Sequence, residues 1–325
     1  MIHDVLFLLI GLALVVVGAE CLVDGASDIA RKFGLSEFLI GLTIVGIGTS
    51  LPELVVSLAG ALRDSADIAI GNVVGSNIFN VLLILGVTAL IRPIGMTSDN
   101  KRRDIPLNIF ATALLIVLGM RYSLFGIGKG DTVTMAIGGL FLLLFAAYMV
   151  VSFKKGKTAV VQNAGEVEQA KGRSLFIAIL MAIGGLAGLI FGGDLFVDNA
   201  RAIAHEAGLS EKFIAITILA GGTSMPELVT CVVAAAKKKG ALALGNIIGS
   251  NISNILLIIG ASALVSPSPL SMSHITIVDL LVLTVSTMVL LTSAWTGRNN
   301  RIGRWDATSF LLIFIAYMAY LFMTI

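Results

Sequence analysis

Apolar residues run along this chain in long, nearly unbroken stretches, and short polar or glycine- and proline-bearing breaks divide them into about ten segments. Their limits fall near residues 4–30, 37–62, 68–91, 104–121, 131–152, 174–204, 211–236, 241–265, 274–294 and 306–324. An apolar stretch of about 18 residues or more lets a helix cross the hydrocarbon core of a bilayer. The pattern therefore predicts an all-α polytopic membrane protein with ten transmembrane helices. The opening "MIHDVLFLLIGLALVVVG" has no basic segment before it and no small-residue cleavage site after it, so it reads as a retained first span. The sizeable polar insert is "KKGKTAVVQNAGEVEQAKGR" at 154–173, too short for a folded domain. It reads as a cytoplasmic loop connecting a first five-span unit, residues 1–153, to a second, residues 174–325.

The two units are copies. "GTSLPELV" at 48 returns as "GTSMPELV" at 222, and "GNVVGSNIFN" at 71 as "GNIIGSNISN" at 245, both displaced by 174 residues. The same displacement relates "GLSE" at 34 to "GLSE" at 208 and Pro93 to Pro267. Five spans is an odd number, so the second copy must enter the membrane from the opposite side, which makes an inverted-topology repeat. The basic residues agree: 17 of the 22 Lys and Arg fall at alternate junctions, leaving Arg63, Arg121, Lys129, Arg201 and Lys212 on the other side. By the positive-inside rule, the basic-rich face is cytoplasmic and both termini are extracytoplasmic, in a cell (inner) membrane.

Composition sharpens this only slightly. The chain of 325 residues is 57% hydrophobic and 13% charged, with a mean hydropathy of +0.99. A soluble domain carries about a quarter charged residues. Cys21 and Cys231 lie far apart in apolar segments and read as small buried hydrophobes, while the three histidines form no cluster.

The chemistry lies in the polar residues placed inside apolar segments. A carboxylate near the centre of a span costs about 2.5–3.5 kcal/mol to insert, yet Glu53 and Glu227 occupy such places at equivalent positions of the two copies. Thr49 and Ser50 precede Glu53 on a shared helical face, as Thr223 and Ser224 precede Glu227. Pro52 and Pro226 lack the N–H that would continue the preceding turn, so spans 2 and 7 are expected to be broken helices with carbonyls turned inward. Asn72, Ser76 and Asn80, and again Asn246, Ser250 and Asn254, recur every four residues and share a face. Asn72, Asn77, Asn246 and Asn251 fit interhelical hydrogen bonding at least as well as ligation. Every donor atom of interest is oxygen, which suits hard cations, sodium or calcium, rather than zinc or copper. Glu20, Asp24, Asp28, Asp194 and Asp198 read either as solvated acids at helix ends or as cation-attracting vestibules on opposite faces.

At these residues the sequence resembles the sodium/calcium exchanger family of the calcium:cation antiporter superfamily, in its short prokaryotic form. The four motifs match the two alpha-repeats of that family in order, and the resemblance covers nearly the whole chain. It implies a secondary antiporter, not an enzyme, exchanging sodium for calcium by alternating access at four clustered cation sites without a cofactor. The ligands implied are Glu53, Glu227, Thr49, Thr223, Ser50, Ser224, Ser76 and Ser250, with the backbone carbonyls of Gly46 and Ala220; the four-residue spacing adds Asn80 and Asn254 to the candidate set. Spans 1 and 6 would slide as a gating pair. Some relatives carry aspartate where this chain has Asn254, which lowers the charge of the cluster and argues for potassium independence. The alternative is a calcium/proton antiporter of the same fold. The partners implied are the two ions and the lipid bilayer, and a monomer suffices.

Overall fold

The computed structural model describes residues 2–63, 66–128, 130–162, 173–206, 220–297 and 300–324. Nearly all of it is helical. Seven helices are apolar and long enough to cross a membrane, and a pair bent by 45°, Glu37–Thr49 with Leu51–Leu62, adds an eighth. Of the other expected spans, 104–121 is filled by the 15-residue helix α5 (Ile105–Gly119). Residues 207–219, in the first part of 211–236, lie outside the described residues.

Helices α1 (Ile2–Phe33) and α8 (Leu175–Glu206), each 32 residues, pack against one another along most of their length. They are longer than a membrane crossing of about 20 residues requires, as their apolar runs predicted. Glycines spaced by seven, Gly11, Gly18 and Gly25 on one helix and Gly185 and Gly192 on the other, form the contact edge. A Cβ on Gly18 would fall 2.7 Å from the Gly185 carbonyl oxygen, so the two backbones touch where a side chain would hold them apart.

The site-bearing helices lie beside this pair. In the first copy they are α2 (Glu37–Thr49), α3 (Leu51–Leu62) and α4, which runs from Ala66–Ile78 through a π-helical Phe79–Leu85 into Gly86–Ile91. The second copy has the short α9 (Ala220–Gly222), α10 (Met225–Ala236) and α11 (Gly240–Val265), with a π segment at Asn254–Ile259. Displaced by 174 residues, the limits of α3 coincide with those of α10, and those of α4 with α11. Helices α4 and α11 are the most buried of the long helices, α11 most of all. Its Gly245 and Gly249 lie against the backbone of Phe38 and Leu42 in α2, where any side chain would collide.

Two short ladders join the copies. Strand β1 (Ile94–Gly95) pairs antiparallel with β4 (Arg301–Ile302), and β2 (Thr132–Val133) with β3 (Leu270–Ser271). Helices α6 (Arg121–Phe125), α7 (Met135–Gln162), α12 (Ile277–Thr296) and α13 (Arg304–Thr324) lie outside the site-bearing set. Helix α7 continues through Gln162, into the segment expected as a loop from 154. That expectation equated the end of the apolar run with the end of the helix, and a helix needs no apolar face once it leaves the bilayer.

Candidate cation site

Both prolines sit in the first turn of a helix, Pro52 in α3 and Pro226 in α10, where a missing N–H costs nothing. The residues ahead of them, Ser50 (φ −83°, ψ 10°) and Ser224 (φ −87°, ψ 6°), leave helical geometry. The break puts Glu53 and Glu227 in the first turns of α3 and α10, where unpaired backbone N–H groups favour a negative charge. Both glutamates are buried, and neither makes an ion pair with a basic group among the described residues.

The two copies meet through reciprocal hydrogen bonds. Ser50 Oγ donates to Glu227 Oε1 at 2.9 Å, and its counterpart Ser224 Oγ donates to Glu53 Oε1 at 3.1 Å. Ser76 Oγ also reaches Glu53 Oε1, at 3.4 Å, and Ser224 Oγ lies 3.4 Å from Ser76 Oγ. The amides behave likewise. Asn80 Nδ2 donates to Asn251 Oδ1 at 3.0 Å, and Asn254 Nδ2 to Asn77 Oδ1 at 3.1 Å. Asn77 Nδ2 completes the junction on the Asn251 carbonyl at 3.3 Å. The inner faces of the two copies are thus complementary to each other.

These bonds leave four oxygens over. Glu53 Oε2, Glu227 Oε2, Asn80 Oδ1 and Asn254 Oδ1 are buried and have no hydrogen-bond partner among the described residues. They form two repeat-related pairs, and all four are acceptors. A buried unmatched acceptor costs about 1–3 kcal/mol, more for a charged one.

The remaining expected ligands surround this set unevenly. Thr49 Oγ1 donates to Asn246 Oδ1 at 3.1 Å, and Ser250 Oγ to the Gly46 carbonyl at 3.1 Å, so Gly46, Thr49 and Ser250 share one wall. Thr223 stands beside Glu53 and lines a cavity of 740 Å³ between α3, α4, α8 and α10. Ala220 opens α9 at the edge of the described residues. Asn72 grips the Glu53 carbonyl at 3.2 Å and Ser57 Oγ at 3.1 Å, so Asn72, Asn77 and Asn251 act as supports. Asn246 is held by Cys231 Sγ at 3.3 Å. Cys231 is buried, and Cys21 is only partly so. No group of three or more His, Cys, Asp or Glu able to hold a metal occurs among the described residues.

The acids outside the centre divide in two. Asp194 and Asp198 are exposed and line the cavity. Asp24 and Asp28, one reading of which was solvated helix ends, instead form ion pairs with Arg31, Arg173, Lys237 and Lys239. Arg31 lies one turn from Asp28 on the same helix, whereas Arg173, Lys237 and Lys239 are distant in sequence, and their arrival could not be read from the helix itself.

Comparison with known proteins decides the relationship. The profile described as "Sodium/calcium exchanger protein" matches residues 3–154 and 177–323. The chain belongs to the sodium/calcium exchanger family. This exchanger is 36% identical over 326 residues to "Putative antiporter CaxA" of Alkalimonas amylolytica, covering 99% of each chain. It is 33% identical to "Sodium/calcium exchanger MaX1" of Methanosarcina acetivorans, covering 98% of both, and 35% identical to "Inner membrane protein YrbG" of Escherichia coli, covering 97% and 95%. Its fold matches solved structures of the sodium-calcium exchanger NCX_Mj, for example one soaked with 10 mM Na+ and 10 mM Sr2+. That match has a TM-score of 0.83 at 33% identity over 98% of each chain. The exchanger is therefore a multi-pass helical membrane antiporter of the cation/calcium exchange class, and not an enzyme.

Proposed function

We propose that this exchanger carries calcium and sodium in opposite directions by alternating access, at the cluster built on Glu53 and Glu227. The observation that carries the reading is the set of four buried acceptor oxygens left over when the two copies have satisfied each other. Carboxylate, amide, hydroxyl and carbonyl oxygens are the donors calcium and sodium accept. The ligand set is Glu53, Glu227, Ser50, Ser224, Thr49, Thr223, Ser76, Ser250, Asn80 and Asn254, with the carbonyls of Gly46 and Ala220. One calcium or several sodium ions use the same oxygens, so the two cannot be held together and their fluxes are coupled. Two uncompensated buried carboxylates resist passage of the empty site through a closed state, which suppresses leak.

The architecture proposed for this is ten spans in two inverted fives, residues 1–153 and 174–325, with spans 2 and 7 broken and both termini extracytoplasmic. The ladders support the alternation, since each pairs two junctions that the ten-span count puts on one side of the membrane. The cavity supports an inequality between the faces. Helix α1 packs along α10, whereas its counterpart α8 borders an open space against α3. One route is open and the equivalent route is shut.

Calcium uptake into sodium-loaded vesicles tests the reading. Uptake that follows the sodium gradient, and vanishes when sodium is replaced by choline, is the expected result. Uptake driven by a pH gradient without sodium would establish the calcium/proton alternative instead.

A further inference from the structure

Asp24, near the end of α1, lies 3.1 Å from Lys237 Nζ and 3.1 Å from Lys239 Nζ. Lys237 caps the end of α10 and Lys239 precedes α11, so these pairs tie α1 to the site-bearing helices. Arg173 makes a different connection, to Asp28 at 3.3 Å and Asp24 at 3.9 Å. It joins α1 to the start of α8 and stays within that helix pair.

A displacement of 174 residues carries Asp24 onto Asp198, and Arg63 onto Lys237. Arg63 caps α3 as Lys237 caps α10. Yet Asp198 and Arg63 are both exposed, and neither makes an ion pair among the described residues. Asp198 lines the open cavity, whose wall includes Val56, 39% exposed. The counterpart of Val56 is Thr230, which is 0% exposed on the closed side.

We infer that the exchanger carries two matched ionic latches that close in turn, Asp24 with Lys237 and Lys239 on the basic-rich face, and Asp198 with Arg63 on the other. The first is shut in this structure. The second forms when α8 closes onto α3 and the cavity disappears. The inference rests on the alternating-access reading but not on which ions are exchanged. Partly exposed ion pairs are each worth only a few-fold in population, which suits a fastening that must release in every cycle. Two bases on Asp24 against one on Asp198 bias the resting protein toward the arrangement seen here.

The test uses full-length protein in detergent, with Cys21→Ser and Cys231→Ser, the latter placing the serine found at the equivalent Ser57. Thr230→Cys then reports, through its rate of reaction with a charged maleimide, how often the closed route opens. Asp24→Asn should raise that rate about five-fold, and adding Asp198→Asn should bring it back toward the parent rate. Lys237→Gln with Lys239→Gln should reproduce the increase from the other side of the latch, and misfolding would not be reversed by a second substitution. An unchanged rate in Asp24→Asn and in the lysine variants, or a double variant no slower than Asp24→Asn, would overturn the inference. Sodium-driven calcium flux in the same preparations separates the two ideas. Rates that shift as expected without any such flux would reject sodium/calcium exchange and leave the latches standing.

Discussion

Glu53 and Glu227 each commit one carboxylate oxygen to a serine from the opposite copy and leave the other without a partner among the described residues. Glu53→Gln or Glu227→Gln keeps the shape but removes the charge, and calcium flux in vesicles should fall about a hundredfold in each, the equivalent of ~3 kcal/mol. Flux near the parent level in either variant would sink the site assignment. Ser50→Ala and Ser224→Ala each remove the serine bond between the copies from a carboxylate, at a cost of about 1–3 kcal/mol, with only the long 3.4 Å bond from Ser76 left to Glu53 in the second. Because the two bonds are reciprocal, their effects on calcium affinity should agree within about three-fold, and a large inequality would count against equivalent roles. The carboxylates, hydroxyls and the four-residue spacing of Asn72, Ser76 and Asn80 were legible in the sequence. The crossing of Asn80 to Asn251 and Asn254 to Asn77 was not, because spacing along one helix does not say which residue of another will face it.

Among the elements, the 45° bend between α2 and α3 is placed where Pro52 interrupts the chain, and the length of α1 and α8 follows from apolar run length. The π segments at Phe79–Leu85 and Asn254–Ile259 were not expected, since an extra residue in one turn barely disturbs an apolar pattern that is hydrophobic on nearly all sides. Packing of α11 on α2 depends on Gly249, where a Cβ would lie 2.3 Å from the Leu42 carbonyl oxygen. Gly249→Ala should therefore cost about 3 kcal/mol or prevent folding, read as a lowered thermal midpoint in detergent. Gly139→Ala, where a Cβ meets nothing within 4 Å, should leave that midpoint unchanged.

For the whole molecule, the charge of the cluster sets the electrical behaviour. Glu53 and Glu227 supply two formal negative charges, and Asn254 adds none. One calcium ion neutralises them, whereas three sodium ions would leave an excess of about +1, so exchange should respond to membrane potential and ignore potassium. Sodium-dependent calcium flux at clamped potentials, with and without potassium, checks this; strict potassium dependence or indifference to voltage would contradict it. The orientation rests on the 17-to-5 partition of basic residues. A cysteine placed near Met1 should be labelled by an impermeant reagent from outside the cell and one near Gln162 should not, and the reverse result would invert the assignment.

The reciprocal hydrogen bonding also bears on how the protein is made. A ribosome delivers the first half of the chain to the membrane before the second exists, and until then Glu53, Asn77 and Asn80 have no complementary surface to meet. Those groups would stand in the bilayer interior with their polar atoms bare, a condition that quality-control proteases recognise. Residues 1–153 expressed alone should therefore be short-lived in the cell, and co-expression of 174–325 should lengthen their half-life. Each half would act as the assembly chaperone of the other, and completion of synthesis would be the step that commits the polypeptide to survival.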